Sequence, residues 1–168
     1  MRLETGQAPF VPMPRHLYGE LARSGEGCSV LVKRNIIHNL VRVVRSAKSQ
    51  SSSSELRSAL WSLGHIASSD FGFNIVIGID YYFIDFCVDR VLNCPNYSMR
   101  GTYFYVLGLV SRSQRGCARL QKLKWYSVSH STSAAVALPC NPSILFRSAQ
   151  SIHTGSGSSI TAHSQQAV

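Results

Sequence analysis

A stripe of apolar residues at helical spacing dominates the middle of the chain. Positions i, i+3, i+4, i+7, i+10 and i+11 are apolar from residue 56 onward, which predicts an amphipathic α-helix. Trp61 widens its apolar face, and Glu55 with the preceding serines provides an N-terminal acid and capping residues. Two more stripes predict further helices, one at Ile36, Ile37, Leu40, Val41 and Val44 and one at Tyr103, Val106, Leu107 and Val110.

The stretch from Ile75 to Phe86 is ambiguous between helix and strand. It is dense in Val, Ile, Tyr and Phe, so a buried strand fits its β-propensity. A helix over Tyr82–Val91 fits the repeat described next, and we favour helix for that reason.

A motif of the form G-x-[LIV]-[AS]-x-S-x-x-G occurs three times, at Gly19–Gly27, Gly64–Gly72 and Gly108–Gly116. The copies start 45 and 44 residues apart. A period of about 40–47 residues is typical of HEAT and armadillo arrays, in which each unit consists of two or three helices. We therefore predict an all-α fold, a short armadillo/HEAT-like α-solenoid of about two and a half repeats with disordered ends.

The motif glycines are interpreted as structural. A glycine inside a helix lowers the stability of the helix by about 1 kcal/mol relative to alanine. A close crossing by another helix, which leaves no room for a side chain, would explain its presence. The Ser-x-x-Gly that follows is expected to end one helix and cap the next. No motif follows a predicted strand or contains Gly-Lys-Ser/Thr, which disfavours a phosphate-binding loop. The predicted structural positions are Gly19, Gly27, Trp61, Gly64, Gly72, Gly108 and Gly116.

Composition limits the class of protein further. The chain of 168 residues is 45% hydrophobic and 15% charged, which is too apolar for complete disorder. The longest apolar stretch, Ile75–Val88, is interrupted by Asp80 and Asp85, so no membrane helix is predicted. The N-terminus has no secretory pattern. We expect an irregular segment over residues 1–13, helical repeats over 14–130 and a Ser-rich disordered tail over 131–168.

Candidate catalytic and metal-binding patterns are weak. The five cysteines form no C-x-x-C motif and are odd in number, which favours a reduced compartment over a disulfide framework. Cys28 and Cys117 share a repeat position with Phe73, so packing is expected there. No G-x-S-x-G or H-E-x-x-H is present. We predict a protein that is not an enzyme and needs no cofactor or metal.

Positive charge is concentrated in the second half. The net charge is +9, and residues 90–168 contain eight bases and no acid. Five bases lie within thirteen residues and precede Trp125 and Tyr126: Arg112, Arg115, Arg119, Lys122 and Lys124. The three arginines are expected on one helical face, as a solvated surface. The alternatives are contact with an acidic partner or anionic lipid, and, as the least favoured, nucleic acid.

Three blocks resemble the Rictor family, whose members are the large companion subunits of the TOR kinase in TOR complex 2. The blocks are 16–28, 56–72 and 98–117, followed by Trp125, and the resemblance covers about residues 14–130. It implies a non-catalytic scaffold in TOR signalling, from the C-terminal end of the helical-repeat region of a longer protein.

The resemblance also implies partners. These are the TOR kinase, Sin1-type subunits and Akt-class kinase substrates, in the cytoplasm or at a membrane as part of a complex. The family supplies no binding residue that maps securely onto these motifs. Two alternatives remain open, an armadillo-type adaptor outside TOR signalling and a basic repeat protein that binds nucleic acid.

Overall fold

The computed structural model describes residues 16–47, 54–129 and 135–145. These residues form eight helices followed by a two-stranded hairpin. The helices are Leu17–Leu21 (α1), Gly25–Lys33 (α2), Ile36–Ser46 (α3), Ser54–Ile66 (α4), Asp70–Ile79 (α5), Phe83–Asn93 (α6), Tyr97–Val110 (α7) and Gln114–Lys122 (α8). The strands are Trp125–Ser129 (β1) and Ala135–Pro139 (β2). The prediction of a mainly helical fold is confirmed.

Each copy of the sequence motif forms the same corner between two helices. The motif serine is the N-cap of α2, α5 and α8, and its Oγ accepts a hydrogen bond from the backbone N–H of the glycine three residues later. The N···O distances are 3.1 Å at Ser24, 3.1 Å at Ser69 and 3.0 Å at Ser113. The capping role predicted for Ser-x-x-Gly is therefore correct in all three copies.

The second glycine of each motif lies against the end of the preceding helix. A Cβ at Gly27, Gly72 or Gly116 would lie only 2.0, 2.0 or 2.1 Å from a backbone carbonyl oxygen. These oxygens belong to Leu21, Ile66 and Val110. Only glycine permits this approach, because any other residue would bring its Cβ into collision with the backbone at the end of the preceding helix.

Six of the eight described helices pack in two rows, and α3 and α6 pack against α4 and α7 of the first row. The first helices of the motifs, α1, α4 and α7, contact one another in that order, and α2, α5 and α8 do the same. At Gly64 a Cβ would lie 3.0 Å from Leu109 Cδ1 and 3.4 Å from Val106 Cα. The predicted close helix crossing at Gly64 is therefore real. The solenoid, with about two and a half repeats, stays a prediction.

The ambiguous stretch is helical. Residues 75–79 belong to α5, and α6 begins at Phe83 after a corner at Asp80. Phe83 and Ile84 are completely buried. Arg45 of α3 fixes the corner, because its Nε and Nη2 donate to the two carboxylate oxygens of Asp80 at 2.7 and 2.6 Å. The preference for helix over strand was correct.

The C-terminal part adds a hairpin to the predicted helical fold. Strands β1 and β2 pair antiparallel, and β2 lies within the tail that was predicted to be disordered from residue 131. Trp125 and Ala137 are 1% and 0% exposed, so burial against the helices stabilises the hairpin. Five-residue strands carry no helical periodicity, which is why the sequence pattern missed them. Residues 130–134 and 146–168, and the irregular segment predicted over 1–13, lie outside the described residues.

No single helix among the described residues is long and apolar enough to cross a bilayer. Helices α5 and α6 reach that length and composition only together, and they are bent by 86° relative to each other.

Candidate interaction surfaces

The basic cluster does not form one surface. Arg115 lies near the start of α8 and is used within the fold. Its Nη1 donates to Asn74 Oδ1 at 2.6 Å, and its backbone N–H donates to Asp70 Oδ1 at 3.0 Å. The Asp70 carboxylate thus accepts from an N–H in the first turn of α8, where a negative charge is favourable. Arg115 therefore joins α8 to α5.

Arg119 also makes its contacts within the fold. Its Nη2 donates to Asp85 Oδ2 at 2.6 Å, and its guanidinium lies 4.9 Å from the ring centroid of Tyr81. The hydrogen bond to Asp85 raises the pKa of Arg119. Asp85 of α6 is the partner of this pair. Arg119 thus holds α8 against α6 and the corner before it.

Three cations of the cluster take no part in such contacts. Arg112, Lys122 and Lys124 are exposed, and within the described residues none of their side chains makes an ion pair or hydrogen bond. Arg112 lies in the corner before α8, so the prediction that three arginines share one helical face is wrong. The candidate anionic contact is reduced to these three residues.

A second surface runs across the row of first helices. A residue with a ring stands three positions before the first glycine of each motif copy. It is His16, the N-cap of α1, in the first copy, Trp61 of α4 in the second and Tyr105 of α7 in the third. The rings of Trp61 and Tyr105 meet edge to face with centroids 6.3 Å apart. His65 lies between the copies, stacked on His16 at 4.5 Å and 6.3 Å from Tyr105. We call His16, Trp61, His65 and Tyr105 the aromatic ladder.

The aromatic ladder corrects the predicted role of Trp61. Its side chain was expected to extend the packed apolar face of its helix, but it is 45% exposed, and Tyr105 is 47% exposed. The motif register contained the signal, since an aromatic or imidazole ring stands three residues before the first glycine in every copy. Hydrophobic periodicity does not single out this position, because its residues, His16, Trp61 and Tyr105, are not uniformly apolar.

A groove of about 420 Å³ lies beside the aromatic ladder, between α4 and α7. It is lined by Trp61, His65, Ser98, Gly101, Thr102 and Tyr105. A Cβ at Gly101 would have no atom within 4 Å, so the groove is open above that glycine. Trp61 Nε1 and Tyr105 Oη have no hydrogen-bond partner within the described ranges. Both donors are available to a ligand.

The surroundings of the two stacked imidazoles favour their neutral forms. Burial lowers the pKa of His16, and its buried Nδ1 has no hydrogen-bond partner among the residues that the structure describes. Burial lowers the pKa of His65, and the electrostatic effects of His16 and Arg112 lower it further. Protonating either ring would place a charge against its stacked neighbour.

The motif cysteines take part in packing. Cys28 Sγ donates to Ala22 O at 3.5 Å, and Cys117 Sγ donates to Ser111 O at 2.7 Å, in each case six residues back. Burial raises the pKa of Cys28, which favours the thiol over the reactive thiolate. Among the described residues, no three His, Cys, Asp or Glu side chains are grouped so as to hold a metal ion.

Fold and surfaces together define a mainly helical protein that presents an aromatic groove and a small cationic patch. Residues 54–126 match the family model described as Rapamycin-insensitive companion of mTOR, domain 5. The chain is 37% identical over 127 residues to the human protein named Rapamycin-insensitive companion of mTOR. It is 34% identical over 133 residues to Target of rapamycin complex 2 subunit ste20 of Schizosaccharomyces pombe.

A third relative is Protein pianissimo A of Dictyostelium discoideum, with 27% identity over 119 residues. The alignments cover 74%, 76% and 71% of this chain but only 7%, 10% and 10% of the relatives. The chain belongs to the Rictor family, and its matched residues correspond to domain 5. It spans less than an eighth of the length of these relatives.

Proposed function

We propose that the chain acts as a non-catalytic scaffold unit of TOR complex 2. The observation that carries this proposal is the similarity over most of the chain to a protein named as a subunit of that complex. The fold supports it, because two rows of packed helices offer extended surfaces to partners, as helical-repeat proteins do.

The partners follow from the family resemblance. The chain contacts the TOR kinase and Sin1-type subunits and helps to present Akt-class kinases to the complex. Its location is the cytoplasm, and it reaches membranes as part of the assembly.

Co-purification tests this function. The full chain, carrying an affinity tag, is expressed in cells and recovered, and the TOR kinase and a Sin1-type subunit are quantified in the eluate. We expect both to co-purify. The folding control is Gly72→Ala, which places a Cβ 2.0 Å from a backbone oxygen and should abolish recovery of both. A folded chain that recovers neither protein would favour an armadillo-type adaptor outside TOR signalling.

We also propose that Arg112, Lys122 and Lys124 contact an anionic lipid surface. Their exposure and lack of internal partners favour this role, whereas Arg115 and Arg119 are used within the fold. A lysine or arginine near an anionic membrane contributes about 1 kcal/mol to binding. Charge on an exposed patch is screened by salt, so the contact weakens as ionic strength rises.

Vesicle flotation separates the two groups of cations. The double variant Lys122→Gln with Lys124→Gln should reduce retention on phosphatidylserine vesicles by roughly tenfold or more. The control, Arg115→Gln with Arg119→Gln, removes the same amount of charge and should reduce retention on the vesicles less. Equal losses would contradict the assignment, and stronger retention on duplex DNA than on vesicles would favour the nucleic-acid alternative.

A further inference from the structure

The groove between α4 and α7 has positive charge at both ends. At one end Arg57 Nη1 donates to the Oγ of Ser98, a lining residue, at 3.0 Å. The half-buried Arg57 makes no ion pair with any other described residue. At the other end Arg112 acts electrostatically on His65, which also lines the groove. The lining residues include no Asp or Glu, so the groove is complementary to a negatively charged ligand.

The middle of the groove is apolar and has room for a side chain. The rings of Trp61 and Tyr105 are exposed there, with centroids 6.3 Å apart. Gly101 lies beside them, and a Cβ on it would meet no atom within 4 Å. No close backbone approach therefore requires this glycine, although a glycine inside a helix weakens the helix. Its missing side chain leaves a space that an apolar side chain of a partner can fill.

The spacing of residues on α4 matches an extended peptide. Arg57, Trp61 and His65 follow one another at intervals of four residues, and each interval rises about 6 Å along the helix. In an extended chain, residues i and i+2 point to the same side and lie about 6.6–6.8 Å apart. One peptide can therefore place an acidic side chain at Arg57 and an apolar side chain at Trp61, with a single residue between them.

We propose that the groove between α4 and α7 binds an acidic linear segment of a partner protein, in which an Asp or Glu and a large apolar residue are separated by one residue. The carboxylate accepts a charge-assisted hydrogen bond from Arg57. The apolar side chain lies over Gly101 against the rings of Trp61 and Tyr105. The inference deepens the proposed scaffold role, on which it rests for the existence of a partner.

A peptide titration into the full chain tests the proposal. The probe is the synthetic peptide acetyl-Gly-Asp-Ser-Phe-Ser-Gly-amide, followed by the fluorescence of Trp61. Trp125 is only 1% exposed, and a Trp61→Phe chain supplies its signal for subtraction. We expect a saturable change, and roughly threefold to tenfold weaker binding when Asn replaces the Asp of the peptide. No saturable change up to about 1 mM peptide would overturn the proposal. Equal binding of the Asp and Asn peptides would show that the groove takes an uncharged segment and would also overturn it.

Charge reversal tests the role of Arg57. Arg57→Gln should weaken the Asp peptide roughly threefold to tenfold. The matched control is Arg42→Gln, which removes the same charge from an exposed arginine on α3 and should leave binding unchanged. An Arg57→Glu chain should bind the peptide in which Lys replaces Asp more tightly than it binds the Asp peptide. Equal losses in the two Gln variants, or no rescue by the Lys peptide, would contradict the proposal.

Filling the groove tests where the apolar side chain binds. Gly101→Leu places a side chain in the open space and should abolish peptide binding, while the melting temperature does not fall, because leucine favours helices over glycine. Gly78→Leu is the matched control, since a Cβ at this exposed glycine of α5 also meets nothing within 4 Å. Full binding by the Gly101→Leu chain would overturn the proposal.

Two further outcomes separate this proposal from its alternatives. Self-association of the chain in sedimentation that Gly101→Leu abolishes would assign the groove to a second copy and refute a partner segment. A chain that co-purifies with the TOR kinase but binds no peptide would refute the groove assignment alone. A chain that binds the peptide but recovers no TOR kinase would support the groove and contradict only membership of the complex.

Discussion

The carbonyl oxygen of Ala135 lies 2.7 Å from the point where a Cβ on Gly108 would stand. The first glycine of each motif meets the next element in the row: Gly19 meets His65 of α4, Gly64 meets α7, and Gly108 meets strand β2. The hairpin thus packs against α7 at the position equivalent to the one where α7 packs against α4. It covers an apolar end that an array of helices would otherwise leave open.

Replacing Gly108 by valine should weaken this junction. The branched side chain would collide with the backbone of β2, and forcing extra atoms into a packed interface costs about 1–3 kcal/mol. Urea denaturation followed by circular dichroism measures the change in the free energy of unfolding. Gly78→Ala is the control, because a Cβ there meets nothing within 4 Å. An unchanged midpoint for Gly108→Val would show that β2 does not pack there.

The corner glycines should be less tolerant still. Alanine at Gly72 would place its Cβ 2.0 Å from the oxygen of Ile66, and 2.9 Å from the Cβ of Ala22. We expect the free energy of unfolding to fall by about 3 kcal/mol or more, since neither backbone can yield locally. Thermal melts of Gly27→Ala, Gly72→Ala and Gly116→Ala should all show a large loss. If one variant melted like the wild-type chain, the equivalence of the three corners would fail.

The pair Arg119–Asp85 should make a measurable contribution to stability. Its side chains are 21% and 33% exposed and lie 2.6 Å apart, so the pair is partly shielded from water. A double-mutant cycle with Arg119→Met and Asp85→Asn should give a coupling energy of about 0.5–1 kcal/mol at low salt. The coupling should shrink as salt is added. Additive effects of the two substitutions would argue against the contact.

Acidification should destabilise the contact between α1 and α4. The pKa of both His16 and His65 is lowered in the folded chain, so the unfolded chain takes up protons more readily. The free energy of unfolding should therefore stay level above about pH 7 and fall as the pH drops below the ordinary histidine value of 6.5. Denaturation between pH 5 and 8 measures this slope. His65→Gln should reduce this slope, and an unchanged slope in that variant would contradict the prediction.

Much of the helical part was predictable because its signals are local. The cap at Ser69 and the glycine at 72 specify a corner within four residues, and the same spacing recurs in the other two copies. The helix over residues 75–79 was predicted from that register against its β-propensity. The hairpin was not predictable in this way, because Trp125 and Ala137 are buried by helices distant in the sequence.

The candidate surfaces depended on tertiary structure to a greater degree. By sequence, Arg112 and Arg119 are equivalent members of one basic cluster, yet Arg119 pairs with Asp85, 34 residues earlier, and Arg112 remains exposed. No local pattern could separate them, because the partner comes from another repeat.

The sequence by itself determined the family, the period, the helix corners and the helical class, since these arise from short-range spacing, capping and apolar periodicity. Only the packed chain decided which cations are free, that Trp61 and Tyr105 form an exposed groove, and that a hairpin ends the row of first helices. Those features arise where residues from different repeats meet. Their positions depend on packing between residues far apart in the sequence, which the spacing of residues within a single repeat does not specify.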